Sequence, residues 1–214
     1  MAMLRVSLRL SAVSFAVTGV LLIAVTFLHP SIFDRPVSDV VLESAAWWVP
    51  VHLAGLVVFV LTVFGAAGIV AAHGDQMGRL GRAGLVVTLV GAGCTGALSA
   101  VEAVVFPVLA ERAPDLLRLD GPLLASWPMV VIGVAALGWF LGLAIIGAAA
   151  ARCSVFPRAA GMLLAVSSLL FLALEGPFVP VLGLLAGVLY GAVLIWWGWL
   201  LGKAAAAPSQ MPSH

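Results

Sequence analysis

Four ionisable side chains stand inside or at the ends of long apolar stretches of this chain: His29, His52, Glu102 and Glu175. A charged side chain at the centre of a membrane-spanning helix costs about 2.5–3.5 kcal/mol on insertion scales, so such a group faces a partner, a cavity or the headgroups. Imidazoles and carboxylates are also the groups that relay protons and coordinate cations within membranes. Ser99 lies three residues before Glu102 and Thr95 seven before it, spacings that put all three on one helical face. Glu102, His52, His29, Glu175, Ser99 and Thr95 are therefore the candidate pocket or ion-binding residues. His52 lies seven residues past Ala45 and Glu102 nine before Glu111, which places both about 10 Å deep at 1.5 Å per residue.

Plainer chemistry is open to the same residues. Glu102 can pair with His52 or a hydroxyl and lock two helices, with His29 and Glu175 at the water boundary. His29 and His52, on one membrane side, can also ligate a haem, and imidazoles with carboxylates can hold a divalent metal. The pattern demands neither cofactor and specifies no metal. No GxSxG, HExxH, phosphate-binding loop or GxGxxG is present, so no enzyme is expected, and His73 and His214 read as surface residues without partners.

The elements that must position these groups are membrane helices. Of 214 residues, 64% are hydrophobic and 9% charged, against roughly a quarter charged in soluble domains, and mean hydropathy is +1.22. Apolar runs of about 20 residues span a bilayer as helices, and the short alternating segments of a β-barrel are missing. The expected fold is all-α: a six-transmembrane-helix bundle within one domain, 1–203, with spans at 10–28, 45–72, 83–110, 123–151, 159–174 and 181–201. The segments 31–44 and 73–82 read as a loop and a tight turn, and 204–214 as a disordered tail. Arg5 and Arg9 precede the first run as in a signal peptide. That run is long for one and no Ala-x-Ala-like site follows, so it reads as an uncleaved span.

Basic residues set the expected orientation. Arg5, Arg9, Arg79, Arg82, Arg152, Arg158 and Lys203 fall on one side, and Arg35, Arg112 and Arg118 on the other. The positive-inside rule puts both termini in the cytoplasm, and arginine-rich, Ala/Leu/Val/Gly-rich composition suggests a bacterial plasma (inner) membrane. Trp47, Trp48 and Trp127 then mark the outer interface, Trp196, Trp197 and Trp199 the inner one, with Trp139 a packing residue. A net charge of +1 indicates no nucleic acid. Cys94 and Cys153 lack a metal or redox spacing.

A threefold repeat of helix pairs is also suggested. Arg9 leads to His29, Arg82 to Glu102 and Arg158 to Glu175, and Glu102 to Pro107 resembles Glu175 to Pro180. Polar stripes run along the odd helices: Ser11, Ser14, Thr18 and His29; Thr88, Thr95, Ser99 and Glu102; Ser168 and Glu175. Serines and threonines in such helices also bond their own i−4 carbonyls. Gly183, Gly187 and Gly191, and Gly138 and Gly142, recur every four residues and prescribe close helix packing, within the chain or in a homo-oligomer. The sum is a protein in contact with the lipid bilayer that binds or conducts a small cation or proton-coupled solute through an outward-facing pocket containing Glu102. The alternatives are a non-catalytic subunit or assembly factor with a membrane-protein partner, and a haem-binding redox subunit.

Overall fold

Apolar helices satisfy their own backbone hydrogen bonds, which is what a lipid environment requires of a spanning segment. The computed structural model describes residues 2–154, 156–176 and 179–206, and every regular element among them is helical: α1 (Ala2–Leu28), α2 (Val37–Glu43), α3 (Ala45–Val104), α4 (Phe106–Arg112), a 3-10 turn (Pro114–Leu117), α5 (Trp127–Ala136), α6 (Gly138–Ala150), α7 (Arg158–Leu174) and α8 (Leu182–Ala206). Four stretches are long and apolar enough to cross a membrane: Val6–Leu28, Ala45–Val104, Trp127–Ala150 and Leu182–Ala206. At 17 residues α7 is shorter.

The longest helix departs most from the sequence reading. As one rod, the 60 residues of α3 would run about 90 Å, three times the hydrocarbon core of about 30 Å. Instead the helix breaks at Gly78, whose φ of 61° and ψ of −152° lie in a region essentially reserved for glycine. The arms on either side, 45–77 and 79–104, fold back on each other. Ser99 Oγ donates to the His52 carbonyl at 2.8 Å, and Trp48 Nε1 to the Glu102 carbonyl at 2.7 Å. The expected turn over 73–82 thus contracts to one residue, because Asp75, Gln76 and Arg79 all tolerate helix.

Around this hairpin the helices close a ring in chain order, each antiparallel to the next. Glycines set the close approaches. At Gly84 and Gly142 the second arm of α3 meets α6; at Gly147 and Gly161, α6 meets α7; at Gly19 and Gly191, α1 meets α8. The ring closes through α8 on α1, a more extensive contact than α8 makes with α7, so packing does not single out helix pairs as tandem units. At its centre Trp139 is packed by Phe59, Phe140, Phe171 and Tyr190. Exposed Leu and Val residues on the outward faces suit lipid contact.

Several expectations change. The 31–44 loop contains α2, whose Val37, Val40 and Val41 at i, i+3 and i+4 bury against Trp48, Phe106, Ala110 and Leu117 in a second small core. The span expected to reach 110 ends at Val104, and Pro107 lies in the first turn of α4, where its missing N–H costs no bond. The fourth begins at Trp127, after turns over 121–125. Trp48 and Trp197 are buried rather than interfacial; Trp197 Nε1 bonds the Ala160 carbonyl at 3.0 Å. His73 is half-buried, edge-on to Phe156 at 5.2 Å. Helix α8 continues to Ala206; the rest of the expected tail, 207–214 with His214, lies outside the described residues, as do Pro177 and Phe178.

Candidate polar cavity

The antiparallel packing of α1 on the first arm of α3 brings the C-terminal end of α1 beside the start of that arm, and the hairpin brings the end of the second arm to the same place. His29, just past α1, therefore meets His52, and His52 meets Glu102. His29 Nε2 lies 3.2 Å from His52 Nε2, and His52 Nε2 lies 3.4 Å from Glu102 Oε2. The three groups border a cavity of about 270 Å³, together with Thr95, Ser99 and, from the turn after α7, Glu175. The structure thus brings all six candidate residues around one cavity near the α2 end of the bundle. The opposite wall is aromatic and apolar: Phe59, Trp139, Phe140, Phe171 and Val25.

Hydrogen bonding assigns the tautomers. His52 Nδ1 is 2.7 Å from the Trp48 carbonyl, and His29 Nδ1 is 3.0 Å from the Pro30 carbonyl. A carbonyl oxygen only accepts, so each Nδ1 carries the hydrogen and each Nε2 presents a lone pair. Two facing lone pairs at 3.2 Å repel until a cation sits between them. A single proton placed there turns the pair into one imidazolium bonded to one imidazole, with the Glu102 carboxylate beside it as counter-charge. His52 is buried and Glu102 half-buried, so the nitrogen is the drier member of the pair.

A larger group fits less well. A bis-histidine haem needs its nitrogens two metal–ligand bonds apart, about 4 Å at roughly 2 Å each, and here they already touch. Among the described residues, no group of three or more His, Cys, Asp or Glu side chains stands at the spacing of a coordinated metal site.

Most hydroxyls of the polar stripes are satisfied locally. Ser11 donates to Ser7 O, Thr88 to Gly84 O, Thr95 to Gly91 O and Ser168 to Leu164 O, all at 2.7–2.9 Å. Thr62, on an even span, does the same with Val58 O at 2.8 Å. The stripes therefore act mainly as packing surfaces, and the ionisable groups gather at one end. The glycines on α8 and α6 face partners inside the chain: Gly187 against Thr26, Gly191 against Gly19 and Ile23, Gly183 against Glu175 and Leu174, Gly138 against Gly91 and Gly142 against Thr88.

Sequence reasoning passed over Trp48. Its indole spans the hairpin to the Glu102 carbonyl and packs on His52 at a ring distance of 4.3 Å, so it holds both members of the pair. The only sequence signal was its position four residues before His52. Outside the apolar segments, two exposed ion pairs decorate this end, Arg35 with Glu43 and Arg118 with Asp120. In each the guanidinium holds the carboxyl below its ordinary range, chiefly through the direct hydrogen bond.

Compared with protein-family models, curated proteins and solved structures, the chain matches none.

Proposed function

We propose that this protein crosses a bilayer six times and binds and exchanges a small cation, coupled to a proton, through the cavity at its α2 end. The six crossings are α1, the two arms of α3, α5 with α6, α7 and α8. The 17 residues of α7 would run about 25 Å, near the lower limit for a span. One observation carries the function: His29, His52, Glu102 and Glu175, from separate parts of the chain, converge on one cavity that, among the described residues, no lysine or arginine lines.

Charge then selects the solute. One proton between the imidazoles compensates one carboxylate, so the second leaves the site attractive to a monocation and hostile to an anion. Every titratable group near the shared proton enters this count. His29 follows α1, His52 and Glu102 stand on α3, and Glu175 follows α7. From α6 come only Trp139 and Phe140, and α8 supplies Tyr190 behind Trp139 and Phe171. Arg79, Arg82, Arg152, Arg158 and Lys203 gather at the Gly78 end, which by the positive-inside rule lies in the cytoplasm of a bacterial inner membrane, so the cavity opens outward.

The reading is tested in proteoliposomes holding a trapped pH dye, to which sodium, potassium, butylammonium or choline chloride is added. Wild-type protein should move protons in response to at least one cation, and Glu102→Gln, which keeps the shape and removes the charge, should abolish that movement. An unchanged response in Glu102→Gln would sink the assignment.

A further inference from the structure

Glu102 forms part of the boundary between two cavities. Beyond it lies a second space of about 580 Å³, bordered by Phe33, Val37, Val101, Phe106, Leu124 and Met129 among others, in which Glu102 is the one ionisable lining residue among the described residues. The two cavities share Leu98, Glu102 and Gly176, the residue after Glu175. A chamber lined almost wholly by apolar side chains therefore adjoins the cavity that carries the imidazoles and both carboxylates, and Glu102 stands at the junction. The second falls within the range of small-molecule sites, about 300–1,000 Å³, and the first just below it, and the apolar side chains of the second favour apolar matter.

We propose that the ligand is a single-chain amphiphile with a cationic amine head, its head in the first cavity between Glu102 and Glu175 and its chain in the second. The proposal rests on the cation reading above and names the ligand class. A fatty acid is disfavoured because its carboxylate would add a third carboxylate where, among the described residues, no lysine or arginine lines either cavity. An uncharged chain would leave the second carboxylate without a counter-charge. The aromatic wall at Trp139 and Phe171 suits an ammonium group, which is drawn to ring faces. Val101 and Leu119, both lining the chamber, are exposed, so the chamber is open on their side and a chain can enter there.

Photolabelling in lipid nanodiscs tests this, using a dodecylammonium probe with a diazirine at the chain end and mass spectrometry to locate the label. The label should fall on Phe106, Leu124 or Met129, and unlabelled dodecylammonium should displace it while dodecanoate does not. Gly133→Phe should lower labelling at least about tenfold by filling the chamber, since a Cβ at Gly133 meets nothing within 4 Å. Should that variant fail to fold, the competition pattern on wild-type protein decides alone. Label scattered over lipid-facing helices, or displaced equally by dodecanoate, overturns the proposal. If the chamber stays unlabelled while Glu102→Gln still abolishes cation-driven proton movement, the chain assignment alone falls; if that movement is also unaffected, the cation reading falls with it.

Discussion

Replacing Gly78 with alanine tests the hinge that carries Glu102 to His52. The residue sits at φ 61°, ψ −152°, where a non-glycine residue costs about 1–3 kcal/mol. A Cβ there meets nothing within 4 Å, so no clash adds to the backbone term. The chain can escape the strain only by moving the turn. A one-residue slip of the second arm rotates its side chains by about 100°, which would carry Glu102 Oε2 away from the His52 Nε2 it now approaches at 3.4 Å. Gly93 is the control: a Cβ there also meets nothing within 4 Å, but its backbone is helical, so alanine should be neutral or stabilising by up to about 1 kcal/mol. Unfolding in mixed micelles with increasing SDS, followed by tryptophan fluorescence, should show Gly78→Ala less stable by about 1–3 kcal/mol. Its melting point should fall by about 2–4 °C per kcal/mol for a chain of this size. Equal stability of Gly78→Ala and wild type would refute the claim that glycine geometry sets this hairpin.

Three further outcomes are expected. Gly191→Leu should pry α8 from α1, since a Cβ there lies 2.5 Å from Ile23 Cγ1 and 2.7 Å from the Gly19 carbonyl; the same unfolding assay should record a loss of about 1–3 kcal/mol or more. Glu43→Gln removes the Arg35 contact. Because Arg35 depresses the folded carboxyl below its ordinary value of 4.5, that contact contributes above this pH and fades as pH falls through the folded value. The variant's melting point should therefore lie slightly below wild type at neutral pH and converge with it in acid; a gap that widens in acid would contradict the assignment. For topology, single cysteines at the exposed Asp120 and Asp75, in a Cys94→Ala, Cys153→Ala background, should react oppositely with an impermeant maleimide on intact cells. Labelling of Asp120→Cys and protection of Asp75→Cys is expected, and the reverse would invert the proposed orientation.

By itself the sequence determined the solvent this chain is built for and where its unusual groups lie along each helix. Length and apolarity make helices because lipid leaves backbone groups no other partners, and helical periodicity put Thr95, Ser99 and Glu102 on one face before any contact was known. Matching depths for His52 and Glu102 follow from counting residues. Counting cannot show which helices are neighbours or how they are rotated about their axes. Those were decided by packing: Gly78 folding α3 on itself, Gly19 and Gly191 closing α1 on α8, and Trp48 spanning the hairpin to the Glu102 carbonyl. The amphipathic α2 escaped a reading tuned to long apolar runs, because seven residues are too few to stand out. The second cavity was illegible for a related reason: its walls come from segments far apart in the chain, and an apolar void leaves no distinctive residue type to find.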